Sequence, residues 1–526
     1  MTGPTRQAEQ GDTVLDALGR VFGFRSFRAD QEGIVRAILA GRDVFAVMPT
    51  GGGKSLCYQL PAHLLSGTCI VISPLISLMK DQVDAAVGTG LHAELLNSSL
   101  SGVQRSAVLG RLLAGELDLL YVAPERFAMD AFLTRLSGAR LCLFAIDEAH
   151  CISEWGHDFR PDYLSLSGIV ERFPAVPVAA MTATATGRVQ RDTIEKLRLR
   201  DPYTVRASFN RPNLFYRVVP KDNVNRQVLA FLRERPAESG IVYRTTRDNV
   251  ETTAAFLAER GVAAVPYHAG LDGETRKANQ EAFNRDEVNV VVATIAFGMG
   301  IDKSNVRFVL HGDLPKNMEG YYQETGRAGR DGEPAQCVLY FGRGDIPKIR
   351  YFIDRMEDET ERSIALGKLN EMAQYATVNA CRRRQVLGYF GERFEQDNCG
   401  ACDVCAGGVE KVDATTEAQI VMSAIVRTGQ RFGAGHVVDV VTGSDTQKVR
   451  DFGHDRIKTY GAGKGTPKRA WRRVIDDLLA QQCLRLGDSR FPILEITPAG
   501  YDVLFGRRSF EMLRHREPQR PARARA

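Results

Sequence analysis

Short apolar runs alternate with stretches of helical period from Val14 to about Arg206. The runs Val44–Val47, Thr68–Ile72, Asp118–Val122, Leu141–Ile146 and Val176–Met181 predict strands buried on both faces. Strands separated by helices imply a parallel sheet covered by helices on each side. The alternation restarts from about Ala207 to Gly342, with predicted strands at Gly240–Tyr243, Ala263–Pro266, Val288–Ala293, Val306–Leu310 and Gln336–Phe341. A helical segment follows at 346–408. Further helices run from about Val409 and end in Arg485–Ile496, read as two short strands about Gly487-Asp-Ser. Helices closed by a two-stranded wing predict a winged helix. The expected divisions are thus a disordered 1–12, α/β units at 13–206 and 207–345, a helical unit at 346–408, a winged helix at 409–506 and a disordered basic tail at 507–526. No apolar run approaches the roughly 20 residues of a membrane span, and Met1 to Asp12 lack the apolar core of a signal peptide. The expectation is a cytoplasmic protein with no membrane partner.

Ligands of such sheets gather at the carboxyl ends of the strands, so the chemistry is sought there. After Val44–Val47 comes Met48-Pro-Thr-Gly-Gly-Gly-Lys-Ser55, a strand, a glycine turn and a helix start. Thr50, Gly51, Gly52 and Gly53 would bring backbone N–H groups close to an anion. Lys54 would face the β- and γ-phosphates, and Ser55 would ligate Mg²⁺. The strict phosphate-loop pattern fails at one place, where Met48 stands for the first glycine. Upstream, Gln31 can bond an adenine edge and Phe24 can stack on its face. After Leu141–Ile146, Asp147 of Asp147-Glu-Ala-His150 suits a Mg²⁺ water shell, and Glu148 suits polarising the attacking water.

Two stretches read as couplings. The hydroxyls of Met181-Thr-Ala-Thr-Ala-Thr186 could relay hydrolysis to a moving interface. Cys151 to Tyr163 gathers Trp155, Phe159, Tyr163 and Arg160 in a loop, the aromatic-plus-cation composition that single-stranded bases stack on. In the second unit, Arg327 and Arg330 stand three apart in Tyr322-Gln-Glu-Thr-Gly-Arg-Ala-Gly-Arg-Asp-Gly332; on a helix both would face one way, as arginine fingers toward a phosphoryl group. Asp302 is expected to complete the nucleotide cleft.

Charge sharpens the picture further down the chain. The net charge is +5, and residues 507–526, with seven Arg against two Glu, account for all of it. Residues 447–473 hold nine Lys or Arg against two Asp. That sign bias, with Trp471 among them, points Arg450, Arg456, Lys458, Lys468 and Arg469 toward duplex phosphates. Of ten cysteines, six are scattered and read as small core residues, while Cys399-Gly-Ala-Cys402-Asp-Val-Cys405 forms a tight thiolate turn. Tetrahedral zinc needs a fourth ligand. No His lies between His311 and His436, which leaves Cys381. A redox C-x-x-C is the alternative, without a thioredoxin-like context to support it.

The set Gly-Gly-Gly-Lys-Ser, Asp-Glu-Ala-His, Thr-Ala-Thr and Gln-Glu-Thr-Gly-Arg-Ala-Gly-Arg resembles a superfamily-2 helicase. Phe-Arg-x-x-Gln and Trp-Gly-His-Asp-Phe-Arg-Pro resemble the RecQ family of ATP-dependent DNA helicases, from about Leu15 to Leu504. That family's cradle also lacks the first glycine. The resemblance implies two RecA-like domains, a zinc-binding domain and a winged helix, with ATP, Mg²⁺ and Zn²⁺ as cofactors. It implies ATPase roles for Lys54, Asp147, Glu148, Gln323, Arg327 and Arg330, and adenine recognition by Phe24, Arg28 and Gln31. It implies coupling of DNA contact to hydrolysis by Trp155 and its neighbours His157, Phe159 and Arg160, and four zinc-binding cysteines. Expected partners are single-stranded and duplex or junction DNA and a single-stranded-DNA-binding protein; the expected state is a monomer associated with the nucleoid. The implied output is 3′→5′ translocation and unwinding in repair and recombination. Many relatives carry a further helical nucleic-acid-binding domain for which this chain is expected to have no room. The competing readings are an RNA helicase and a DNA-binding regulator with an inactive motor.

Overall fold

A computed structural model describes residues 12–28, 30–74, 76–97, 100–295, 297, 303–377, 380–396, 398–407, 409–487 and 493–515. Among them, the first lobe builds seven parallel strands: β1 (Val44–Val47), β2 (Thr68–Ile72), β3 (Ala93–Leu96), β4 (Leu119–Val122), β5 (Leu141–Ile146), β6 (Val178–Thr182) and β7 (Tyr203–Arg206). Their order is β3-β4-β2-β5-β6-β1-β7. The second lobe places β8 (Leu214–Pro220), β9 (Ser239–Tyr243), β10 (Ala264–Tyr267), β11 (Val290–Ala293), β12 (Val306–His311) and β13 (Ala335–Phe341) in the order β10-β11-β9-β12-β13-β8, again parallel. Runs such as Val-Phe-Ala-Val of β1 and Thr-Cys-Ile-Val-Ile of β2 are buried throughout, which is why they stand out in the sequence.

The hydrophobic pattern predicts ten of these strands and misses β3, β7 and β8. All three lie at sheet edges. An edge strand pairs on one side only and needs no continuous apolar run. β3 carries Glu94, β7 is half exposed, and β8 ends in Pro220. The free edge of β8 is not left to solvent. Tyr216 donates its N–H to the Ala401 carbonyl at 3.2 Å, and Asp403 donates back to the Tyr216 carbonyl at 2.9 Å. The cysteine turn thus adds itself to the second sheet.

Strand order brings distant motifs together. β5, β6 and β1 are neighbours, so the stretches following them at Asp147, Thr182 and Met48 open on one edge.

The carboxyl-terminal unit corrects two expectations. Residues 507–526 were expected to be unstructured, yet β17 (Glu511–His515) pairs antiparallel with β14 (Val409–Asp413), with β15 (Leu484–Leu486) and β16 (Leu494–Ile496) forming the wing between them. Phe510 and Met512 alternate inward and are buried, so apolar residues among the arginines bind this segment to the core. Residues 516–526, 488–492 and 1–11 lie outside the described residues. Trp471, enlisted above on the side of DNA, is buried in the same core with Nε1 donating to the Gly463 carbonyl at 3.1 Å. A Cβ on Gly463 would meet its ring at 2.3 Å, so ring and loop are mutually fitted.

Truncation after Gly506 removes the strand partner of β14 and two buried apolar side chains. The expected outcome is early melting of the carboxyl-terminal unit by differential scanning calorimetry, since each such loss costs about 2–5 kcal/mol. Truncation after His515 should leave the transition in place. Identical melting of the two truncations would contradict the pairing.

Candidate nucleotide cleft and nucleic-acid interface

The glycine turn adopts the backbone its sequence anticipates. Gly51 and Gly53 take φ values of 81° and 78°, and the helix Lys54–Leu64 starts from Gly53. Its first N–H groups therefore open on the turn. Gln31, 3% exposed, braces this cradle from behind: its Nε2 donates to the Gly52 carbonyl at 3.1 Å and the Gly53 carbonyl at 3.3 Å. Its Oε1 accepts from the Arg28 N–H at 2.8 Å, and Arg28 Nη1 reaches the Gly51 carbonyl at 3.5 Å. Both residues expected at adenine thus also fix the shape of the phosphate turn. Phe24 keeps its ring about half exposed beside them. Thr50, Lys54 and Ser55 are half-buried at the opening.

Facing the cradle, Glu148 adopts φ 46°, a left-handed backbone unusual outside glycine. Burial and the adjacent Glu148 charge push Asp147 up to about 6, with Lys54 opposing. Burial works against ionised Glu148 too, but Lys54 and His150 outweigh it and hold it below the usual carboxylate range. Two half-buried carboxylates against one ammonium form a centre short of positive charge, suited to a divalent cation. His150 Nδ1 stands 2.7 Å from Thr182 Oγ1 and 3.3 Å from Glu148 Oε2. Thr182 Oγ1 also lies 3.2 Å from the Thr184 carbonyl, an arrangement in which Thr182 can donate to Thr184 and accept from a His150 N–H. The Thr-Ala-Thr stretch is therefore wired to the acidic pair.

The second lobe contributes from the side. Gln323 lies half-buried on the helix Met318–Thr325, but Arg327 and Arg330 lie in the turns after it. The helical face expected for the two arginines is therefore replaced by a turn, with Gly329 at φ 58°. Arg330 packs against the cradle: a Cβ on Gly51 would sit 3.5 Å from Arg330 Cγ. Arg327 is buried, and its Nε has no hydrogen-bond partner. Asp302 lies outside the described residues.

One residue escapes every sequence signal. Arg211, in the connection between the lobes, donates from Nη1 to the Thr50 carbonyl at 3.4 Å and the Gly326 carbonyl at 3.2 Å. Its Nη2 donates to the carbonyls of Ala328 at 3.0 Å and Gly329 at 2.9 Å. A fork of five N–H donors suits four carbonyls from two lobes. Arg383 in turn holds that connection, donating to Asn210 Oδ1 at 2.7 Å and to the carbonyls of Arg211 at 2.6 Å and Leu214 at 2.8 Å. The carbonyl partners carry no identity code, so spacing rules cannot find these contacts.

Cys381, Cys399, Cys402 and Cys405 converge, their sulfurs all within 4.8 Å of one another. Tetrahedral zinc with thiolate bonds of about 2.3 Å needs sulfurs roughly 3.8 Å apart, so the set fits the ion with little adjustment. The Cys405 and Ala401 N–H groups donate to Cys402 and Cys399 sulfur, both at 3.4 Å. Cys402 is held down to about 4, chiefly by the hydrogen bond from Cys381. Such a donor set favours thiolate. The other six cysteines are buried, as their apolar surroundings in the sequence suggest.

The aromatic loop is tied down from several directions. Arg188 lies over the Trp155 ring at 2.9 Å, and His157 stacks on His150 at 4.3 Å. Burial, with the charges of His150 and Lys368, pushes His157 down to about 4. Lys196 approaches the Phe159 ring at 5.8 Å. Arg160 is bound to Asp158 Oδ2 at 2.9 Å and to the Pro74 carbonyl at 3.0 Å. On the winged helix, Arg450, Arg456, Lys458, Lys468 and Arg469 are all exposed; Arg450 and Lys468 pair with Asp445 and Asp439. A cavity of about 910 Å³ lies where this unit meets the second lobe and the helical segment, with Arg469 and Arg472 on its wall and the Arg343–Asp476 ion pair, 3.0 Å, beside it.

Two lobes of parallel sheet meeting at a phosphate cradle, an acidic pair and trans-facing arginines define the helicase class of nucleotide-driven motors. Comparison with known proteins agrees. The solved structure of Mycobacterium smegmatis helicase Lhr bound to ssDNA and AMP-PNP aligns with a TM-score of 0.52 at 19% identity, covering 93% of this chain and 62% of that one. S. cerevisiae Dbp5 bound to RNA and ADP BeF3 aligns at 0.51 and 16%, covering 68% and 97%. These likenesses concern the fold. Family models match in succession: DEAD/DEAH box helicase at 28–193, helicase conserved C-terminal domain at 222–332, RecQ zinc-binding at 343–406 and RQC domain at 408–521. The ATP-dependent DNA helicase RecQ of Pasteurella multocida (strain Pm70) is 46% identical over 89% of this chain and 74% of its own length. Those of Haemophilus influenzae and Bacillus subtilis (strain 168) are 44% and 43% identical, over 95% and 93% of this chain and 81% and 83% of their own lengths. The chain belongs to the RecQ family.

Arg211→Ala should leave folding intact and lower ATP turnover about tenfold or more, because cradle and arginine turn lose their shared clamp. Arg211→Lys should not restore it, a single ammonium being unable to fork across four carbonyls. Turnover of Arg211→Lys at the wild-type level would refute the clamp.

Proposed function

We propose that this RecQ-type ATP-dependent DNA helicase translocates 3′→5′ and unwinds duplexes in repair and recombination, using the residues that meet in the cleft. The observation that carries the reading is Arg330 of the second lobe packed against the Gly51 turn of the first. A cation supplied across an interface acts on a phosphoryl group only when the lobes close, which makes hydrolysis a consequence of movement.

Residue by residue, Phe24, Arg28 and Gln31 hold the base and brace the cradle. Thr50 to Ser55 wrap the phosphates, and Lys54 neutralises them. Mg²⁺, held through Ser55 and Asp147, supplies Lewis-acid charge neutralisation when bound. Glu148, kept ionised, orients the attacking water and takes its proton. Gln323, Arg327 and Arg330 stabilise the charge of the transferring group. The aromatic loop senses DNA, and its stacked His157–His150 contact leads to Glu148. The zinc bound by Cys381, Cys399, Cys402 and Cys405 is structural: every ligand comes from the segment that edges β8 and grips the lobe connection. The exposed basic residues of the winged helix hold duplex phosphates. Action as a monomer at the nucleoid, with a single-stranded-DNA-binding protein as partner, rests on the family resemblance; among the described residues no helix is long and apolar enough to cross a membrane.

Steady-state ATPase with and without single-stranded DNA tests the cleft. Strong stimulation is expected in the wild type, none in Lys54→Ala, and a loss of stimulation in Trp155→Ala. Stimulation by RNA equal to that by DNA would favour an RNA helicase instead. For the zinc site, Cys381→Ser should lose bound metal by elemental analysis and lower the melting temperature, because ligand binding free energy is folding free energy here. Full zinc content in that variant would remove Cys381 from the ligand set.

A further inference from the structure

Lys368 sits on the helix Glu359–Thr377, outside every motif that the sequence singles out. Its Nζ donates to the Trp155 and Gly156 carbonyls, both at 2.8 Å, and lies 3.3 Å from Glu319 Oε1. The Lys368 side chain is 13% exposed and that of Glu319 only 4%, so this is an interior junction and not a surface ion pair. An ammonium has three N–H donors, and here it has three partners.

The partners belong to different parts of the motor. Trp155 and Gly156 are in the aromatic loop of the first lobe. Glu319 is in the first turn of the helix Met318–Thr325, which carries Gln323 and runs directly into the turns that hold Arg327 and Arg330. The same loop touches the acidic pair on its other side, through His157 stacked on His150 and His150 beside Glu148. Burial opposes the Glu319 charge, but the Lys368 ammonium and a hydrogen bond from Tyr389 keep its carboxyl below the usual range. The aromatic loop cannot shift without breaking buried charge-assisted bonds or carrying Lys368, and with it Glu319, along.

We infer that Lys368 is a positioning residue that links displacement of the aromatic loop to the helix preceding the two arginines, and that DNA stimulates hydrolysis through this link. The inference rests on the reading of the aromatic loop as the DNA sensor.

The test uses the full chain and measures ATP turnover with and without single-stranded DNA, together with DNA affinity by fluorescence anisotropy. Lys368→Met should keep DNA-free turnover within about twofold and DNA affinity within about threefold, while DNA-stimulated turnover falls about tenfold. Lys368→Arg should retain most of the stimulation, since it still offers donors to all three partners. Glu319→Gln, nearly isosteric, should lose stimulation too, and the double variant should be no worse than the weaker single one, as expected of residues in one network. Unchanged stimulation in Lys368→Met overturns the inference, as does an equal fall with and without DNA, or losses that multiply in the double variant. Should Lys368→Met fail to fold, Glu319→Gln alone decides between the same outcomes. Trp155→Ala separates the two levels: stimulation surviving there removes the sensor reading and the inference with it. Stimulation lost there but intact in Lys368→Met and Glu319→Gln removes only the inference.

Discussion

The contact of Arg330 with the Gly51 turn is the constraint around which the molecule is arranged. A triphosphate carries more negative charge than one helix terminus and one lysine neutralise, so the remaining cations must come from elsewhere. On the proposed reading, placing them on a second lobe makes their arrival depend on the distance between the two sheets. Chemistry then reports geometry, and geometry can be biased by whatever else the lobes touch.

Much of the chain beyond the two sheets serves that distance. Arg211 ties the cradle to the arginine turn through backbone carbonyls, and Arg383 ties the lobe connection to the helix that begins at Cys381. The cysteine turn continues the second sheet at the β8 edge, and Asp403 within it pairs with Arg382 at 3.0 Å. Zinc binding, edge protection and lobe geometry are therefore one structure rather than three. Lys368 and Glu319 join the aromatic loop to the helix that precedes the two arginines. The Lys368–Glu319 pair and the Arg382–Asp403 pair are largely buried, so they are screened by salt less than surface pairs are.

How legible this was varies by the kind of interaction. The convergence of Lys54, Asp147 and Glu148 was legible because each follows an apolar strand of one parallel sheet, whose carboxyl ends open on one edge. The cysteines were legible because zinc demands four soft ligands. Arg327 and Arg330 were expected on a helix and lie in turns, since spacing by three is equally compatible with a helix and with successive turns. Trp471 was misread because an aromatic beside arginines looks alike whether it faces a base or a core. β17 was missed because a high density of arginine hid Phe510 and Met512, two residues in the right alternation.

By itself the sequence determined the two parallel sheets, the position of the cradle, the acidic pair and the metal ligands. Continuous apolar runs have few ways to be buried, and phosphate and zinc chemistry tolerate few substitutes. Only the tertiary structure decided the edge strands β3, β7 and β8, the turn that carries the arginines, and the junctions at Arg211, Arg383 and Lys368. Those contacts end on backbone carbonyls or pair side chains at least 49 positions apart. A carbonyl is offered by every residue, so nothing in local composition marks which one will be met.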